Sequence, residues 1–247
     1  MTLREFFLRH PKAALAFSGG TDSAYLLYEA VRSGADVRPY FAKSAFQPAF
    51  ELADARRLCA ELGVELRVVE LDVLAVPAVA DNPPDRCYHC KKAIFTALLT
   101  SAREDGYEDI LDGTNASDRA DDRPGMRALR ELGVLSPLRE CGLSKADVRR
   151  LSAEAGLFTA AKPSYACLAT RVPTGERITP EKLWKVEQAE ERLFTLGYSD
   201  LRVRLRGENA LLQLPEGQLG RARQEWTDIE QSLSGLFAQI TLDPTGR

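Results

Sequence analysis

The chain has 247 residues, of which 45% are hydrophobic and 28% charged, with a formal net charge of −3. That length buries one large core, or one medium and one small, and the slight acidity gives no global pull toward nucleic acid. The opening MTLREFFLRH has neither a signal-peptide apolar core nor a spanning segment, so the expectation is a cytoplasmic protein with no membrane or nucleic-acid partner.

In chain order, Leu3 to Arg9 reads as a helix leading into a first strand at 14–17. A helix over 22–33 stops near Gly34, and Asp36 to Ala42 reads as the second strand. Phe50 to Leu62 is helical with Gly63 just past its end, a common C-terminal stop. Leu66 to Leu71 alternates and forms a third strand. A loop, Asn82-Pro83-Pro84-Asp85, precedes Cys87, and 91–105 is helical. Glu108 to Asp112 is a fourth strand running into Gly113-Thr114-Asn115. Strands alternating with helices at this spacing predict a doubly wound parallel α/β sheet. Its ligands bind at the carboxyl ends of the strands, where 18–23, 43–47 and 112–115 all fall, so one pocket is expected. A helix runs from Lys145 to about Ala155, and 161–179 is irregular. From Pro180 the pattern becomes helix, two strands over 200–205 and 210–214, a helix over 217–232 and a strand over 237–242. This predicts a second, smaller α+β domain over 176–247, following a larger α/β domain over 1–175.

Ser18-Gly19-Gly20-Thr21-Asp22-Ser23 joins the first strand to its helix. Two glycines let backbone approach an anion and adopt positive φ, and free N–H groups at the helix start point at it. Hydroxyls of Ser18, Thr21 and Ser23 add donors, and Asp22 can hold magnesium. No lysine follows the glycines, so this is not a Walker loop. The motif resembles the PP-loop of ATP pyrophosphatases, which cleave ATP between the α and β phosphates and attach AMP to a substrate oxygen. A plain tight βα turn is the bland alternative.

Five cysteines (59, 87, 90, 141, 167) are an odd set for a reducing compartment and do not suggest a disulfide framework. Cys87-Tyr88-His89-Cys90 fits a metal site, a cluster, a redox pair or two half-buried loop thiols. Without a second CxxC, a four-cysteine zinc ribbon cannot form in one chain. Cys167 has Lys162 five residues back and Arg171 four residues on, and cationic neighbours favour a thiolate. Cys87, Cys90 and Cys167 could hold three irons of a 4Fe-4S cluster and leave one open. Cys59 reads as core, and Cys141, in a turn, has no assigned role. His10 reads as structural, and Trp184 and Trp226 read as packing residues of the second module. Asp118, Asp121 and Asp122, beside Arg119 and Arg123, form an acidic cluster that either orients a ligand or is a solvated loop.

Together with the PP-loop, the segments Asn82-Pro-Pro-Asp-Arg-Cys87-Tyr-His-Cys90-Lys91, Asp112-Gly-Thr-Asn115-Ala-Ser-Asp118, Asp122-Arg-Pro-Gly125 and Gly133-Val-Leu-Ser-Pro-Leu138 carry a specific resemblance. It extends through Lys162-Pro-Ser-Tyr-Ala-Cys167-Leu-Ala-Thr-Arg171 and Gly175-Glu-Arg-Ile-Thr179, and is looser from 180 onward. The chain resembles LarE, the ATP-dependent sulfur transferase family that makes the pincer nucleotide of nickel-dependent lactate racemase. The resemblance implies that a ring carboxylate of pyridinium-3,5-biscarboxylic acid mononucleotide is adenylated and then converted to a thiocarboxylate. It implies ATP and magnesium, nucleotide binding by 18–23 with Gly113 and Asn115, a catalytic Lys91 and Asp22, and attack by Cys167. It implies substrate-phosphate binding by Arg202 and Arg204, which alternate along a strand and share a face; an exposed edge-strand face is their bland reading. Sulfur comes either from Cys167 itself, leaving dehydroalanine, or from a 4Fe-4S cluster on Cys87, Cys90 and Cys167; the three cysteines favour the cluster. Homo-oligomerisation and dealings with proteins of the nickel-pincer pathway are also implied. Two other classes stay open: a PP-loop tRNA thiolation enzyme, which usually needs an RNA-binding face, and a non-catalytic nucleotide-binding regulatory module.

Overall fold

The computed structural model describes residues 1–118 and 124–247. Arg119, Asp121, Asp122 and Arg123 of the acidic cluster lie outside the described residues. In chain order the elements are α1 (Leu3–Arg9), β1 (Lys12–Ala16), α2 (Thr21–Arg32), β2 (Asp36–Lys43), α3 (Ala49–Glu61), β3 (Arg67–Glu70), α4 (Pro77–Ala80), α5 (Arg86–Glu104) and β4 (Ile110–Leu111). There follow α6 (Pro124–Glu131), α7 (Pro137–Glu140), α8 (Lys145–Glu154), α9 (Pro180–Thr195), β5 (Arg202–Arg206), β6 (Asn209–Gln213), α10 (Glu216–Gln224), α11 (Trp226–Ser232) and β7 (Ile240–Leu242). The chain divides into two compact units, Met1–Val73 with Asp85–Lys162, and Leu74–Pro84 with Pro163–Arg247. The sequence boundary near 175 falls inside the second unit.

The first unit is built on a sheet of order β3-β2-β1-β4, with every pairing parallel. Successive side chains of β1 point to opposite faces. Ala13, Leu15 and Phe17 enter one core, with Phe6 of α1, Leu26 and Leu27 of α2, Leu58 of α3 and Val148 of α8. Ala14 enters a second core with Tyr40, Ile110, Leu98 of α5 and Leu129 of α6. Burying both faces explains why the strands read as apolar runs, and the sheet is doubly wound as expected. The strand order reverses between β1 and β4, and the crevice at such a reversal is where this architecture holds ligands. Cys59 is 2% exposed, in the first core. His10 is structural, stacked on Phe6 and paired with Asp109 at 2.7 Å.

The second unit is the smaller α+β part. Its sheet has the order β5-β6-β7, antiparallel between β5 and β6 and parallel between β6 and β7. Leu193 of α9, Val203, Leu212 and Ile229 form its core. The excursion 74–84 is tied in here. Asn82 is buried at φ 56°, a left-handed conformation that asparagine tolerates. Its Nδ2 donates to the Pro173 carbonyl at 2.8 Å. The Gly175 N–H donates to the Asn82 carbonyl at 2.9 Å, and the Ile178 N–H to that of Ala80 at 2.7 Å. Trp226 packs partly on this core. Trp184 does not, contrary to the packing expectation: it is 54% exposed on α9. Among the described residues, no helix is long and apolar enough to cross a membrane.

Candidate active site

The glycine turn is shaped by close packing. Gly19 sits at φ 69°, and a Cβ there would meet the Glu51 carbonyl oxygen at 3.0 Å and the Ala55 nitrogen at 3.2 Å. Gly20 caps α2 without a side-chain hydrogen bond, which leaves the helix start suited to an anion. Gly113 lets the loop after β4 press on that first turn, since its Cβ would lie 3.0 Å from the Ser23 nitrogen. These segments enclose a cavity of about 270 Å³ lined by Ser18, Gly20, Asp22 and Ser23, by Asp112, Gly113, Thr114 and Asp118, and by Ala16, Lys91 and Phe95. It lies at the β1/β4 reversal.

Not every expected residue faces this cavity. The Thr21 hydroxyl, read as a phosphate donor, is buried and donates to the Thr159 carbonyl at 2.9 Å. Asn115 is also buried, its Oδ1 accepting the Ser117 N–H at 2.9 Å. The segment 43–47 does not join the lining; instead Arg86 lies over the Phe46 ring at 6.0 Å. Asp112 braces its loop, accepting from the Ser136 hydroxyl at 2.7 Å and the Thr114 N–H at 3.1 Å.

Asp22 differs. Its Oδ2 accepts from Lys145 Nζ at 2.6 Å, whereas its Oδ1 is buried with no hydrogen-bond partner. An unpaired carboxylate oxygen out of water is costly, and in a phosphate cavity it suits a hard cation with oxygen ligands. Lys162, expected to act on Cys167, instead pairs with Asp54 at 2.6 Å and donates to the Gly19 carbonyl at 3.2 Å. Local sequence showed neither lysine's role, because the partners lie more than a hundred residues away. The one local signal was Ser144, whose capping box with Asp147 opens α8 at Lys145.

The CxxC is not in a loop. α5 begins at Arg86, five residues before the expected start, and Cys87, Cys90 and Lys91 occupy its first turns. Spacings of three and four put them on one face. Cys87 is exposed and Cys90 half-buried, and Arg86 Nη2 donates to Cys87 Sγ at 3.6 Å. His89 pairs with Asp85 at 3.2 Å. Lys91 runs along α6 where Gly125 leaves room: a Cβ there would stand 2.9 Å from Lys91 Cδ.

In the second unit, Cys167 caps the short helical turn Leu168–Arg171, its carbonyl accepting from the Thr170 N–H at 3.0 Å. Arg171 fixes this segment from below. It donates to the Ala166 carbonyl at 3.0 Å and, through Nε, to Glu190 Oε1 at 2.7 Å. Tyr165 also donates to Glu190. Arg202 and Arg204 are not an exposed edge face. Arg202 is 5% exposed, its Nη2 donating to the Ser164 carbonyl at 2.7 Å. Arg204 Nη1 donates to the Thr170 carbonyl at 2.9 Å. Burial, then the nearby charges of Arg171 and Arg247, push Arg202 down to about 10, so it is still cationic at neutral pH.

No protein-family model matches the chain. It is 36% identical to an uncharacterized protein of Synechocystis, over 99% of this chain and 92% of that one. It is 33% identical to the pyridinium-3,5-bisthiocarboxylic acid mononucleotide synthase of Lactiplantibacillus plantarum, over 95% and 86%. The chain belongs to the LarE-type family of PP-loop ATP pyrophosphatases. A weaker likeness, 23% identity over 61% of this chain and 54% of the other, joins it to the tRNA-specific 2-thiouridylase MnmA of Thermotoga petrophila.

As a LarE-type protein the chain is an ATP-dependent PP-loop enzyme, and its residues fit magnesium: Asp22 offers a free oxygen and Asp118 lines the same cavity. For an iron–sulfur cluster, the first turns of α5 offer two thiols on one face, and the third thiol, Cys167, belongs to the second unit. Among the described residues no three His, Cys, Asp or Glu side chains stand together as a metal-binding group.

Proposed function

We propose that this LarE-type enzyme adenylates a ring carboxylate of pyridinium-3,5-biscarboxylic acid mononucleotide and replaces the activated oxygen with sulfur, toward a nickel-pincer nucleotide cofactor. A carboxylate oxygen attacks the α phosphorus of ATP, the bond to the bridging oxygen breaks, and pyrophosphate leaves. A sulfur nucleophile then attacks the acyl carbon, and AMP departs with the bonding electron pair. Adenylation is needed because a carboxylate is a poor electrophile. In the first unit Lys91, with magnesium on Asp22, offsets charge on the phosphates. In the second, Arg202 and Arg204 hold the substrate phosphate beside the Cys167 segment, and this unit serves self-association. A 4Fe-4S cluster on Cys87, Cys90 and Cys167 would supply the sulfide from its open iron.

The observation that carries this reading is the cavity at the β1/β4 reversal, which joins the Ser18–Ser23 turn, a half-free Asp22 and Lys91. The test is pyrophosphate release by anaerobically purified protein given MgATP and the pyridinium dicarboxylate mononucleotide, with iron analysis and intact mass. Expected are substrate-dependent pyrophosphate, bound iron and unchanged protein mass. A colourless protein losing the mass of hydrogen sulfide at Cys167 would make that cysteine the donor. Absence of pyrophosphate with this substrate would overturn the proposal, and tight binding of bulk tRNA would favour RNA thiolation.

A further inference from the structure

Lys145 has no place in the scheme above, yet it makes the closest ion pair onto the glycine turn. Its Nζ lies 2.6 Å from Asp22 Oδ2, with the two side chains 30% and 22% exposed. Its backbone is fixed. It is the first residue of α8, Ser144 and Asp147 close a capping box around that helix start, and the Lys145 N–H donates to Ser117 Oγ at 3.0 Å. Only the side chain is free to move, and a lysine carries its charge on a flexible four-carbon stem. A purely structural pair would satisfy both carboxylate oxygens. Here Oδ1 is buried and unpartnered, on a carboxylate that lines the phosphate cavity. A triphosphate arriving there brings negative charge against Asp22, so the nearest mobile cation is drawn to the phosphates.

We infer that Lys145 is a nucleotide-binding residue that leaves Asp22 for the β and γ phosphates of ATP, and that Asp22 thereby becomes free for a divalent cation. The inference rests on the nucleotide part of the proposed function and concerns the side of the cavity that receives the leaving pyrophosphate. Negative charge grows on the bridging oxygen as the bond from the α phosphorus breaks, and a cation placed on that side stabilises it, which gives the lysine a part in the chemistry as well as in binding.

Calorimetric titration of the full chain with α,β-methylene-ATP and with AMP, with and without magnesium, tests this. Lys145→Met should weaken binding of the methylene analogue at least tenfold and change AMP affinity less than twofold, and Lys145→Arg should recover part of the loss. Asp22→Asn releases the lysine, so this variant should bind the analogue more tightly than wild type in EDTA while losing stimulation by magnesium. Equal losses for both nucleotides in Lys145→Met, or no loss, would overturn the inference. So would weaker metal-free binding by Asp22→Asn in protein whose melting is unchanged. Failure of the underlying reading looks different: wild type would bind neither nucleotide.

Discussion

Replacing Glu190 with glutamine should destabilise the second unit and misplace Cys167. Arg171 and Glu190 side chains are 0% and 1% exposed. The carboxylate accepts Arg171 Nε at 2.7 Å, Arg171 Nη2 at 3.1 Å and the Val203 N–H at 2.9 Å, besides the Tyr165 hydroxyl. All of these are donors. Glutamine has one acceptor oxygen, so its amide must point N–H groups at other N–H groups. Two charge-assisted bonds at roughly 1.5–3 kcal/mol each, or a broken buried pair at about 3–5 kcal/mol, give the same scale. Nearby Arg202 is itself buried, so Arg171 gains no relief from its surroundings. With the two units tied together by the chain, a loss of about 3 kcal/mol lowers the melting temperature of a 247-residue protein by roughly 6–12 °C. Thermal unfolding followed by circular dichroism and calorimetry measures it. A drop under about 4 °C in Glu190→Gln would refute the argument that this pair is the internal support of the Cys167 segment.

Other consequences are open to direct measurement. Gly125→Ala puts a methyl 2.9 Å from Lys91 Cδ, so the lysine must shift; at the second residue of α6 helix propensity still favours alanine, by less than the ~1 kcal/mol of a helix interior. Expected is unchanged or raised stability with turnover down several-fold, and full activity would count against a role for Lys91. Burial pushes the Cys59 thiol up to about 12, and burial with the Glu225 hydrogen bond pushes Tyr198 up to about 12. Raised values mean that the stabilisation is complete below the ordinary thiol and phenol ranges, from about pH 9 to 10, and is lost as pH climbs toward 12. Denaturant midpoints at pH 8, 10 and 11 should fall in that order, and a flat series would contradict it. Asn82→Ala loses the bond to Pro173 and strains a left-handed backbone, whereas Asn82→Gly loses only the bond. The alanine variant should be the less stable of the two in urea unfolding; the reverse order would show that φ does not matter there.

The sheet was legible because its central strands are buried on both faces, so an apolar run such as Ala13 to Phe17, opened by Pro11-Lys12 and closed by Ser18-Gly19-Gly20, reads clearly. The phosphate turn was legible because its residue types stand together in six consecutive positions, Ser18 to Ser23, although the packing that requires Gly19 comes from Glu51 and Ala55 of α3 and was not. The start of α5 was misplaced because Pro83 and Pro84 masked a helix whose first residues are polar. The burial of Arg202 and the half-burial of Arg204 could not be read from alternation alone, which fixes a shared face and says nothing about what covers it. Lys145 and Lys162 find their partners only through the tertiary fold. Trp184 shows the opposite error, since an aromatic at helical spacing was assigned to a core that it does not enter.

The excursion from Leu74 to Pro84 makes the two halves topologically inseparable. A fragment stopped at Lys162 would retain Val79 and Ala80, both essentially inaccessible in the intact chain, while deleting Pro163–Arg247, the rest of the unit to which they belong. The complementary fragment from Pro163 would lack the carbonyls that receive Gly175 and Ile178. Neither piece is expected to be soluble when expressed alone, and gene fusions or recombination points are best placed at the chain termini rather than at the junction.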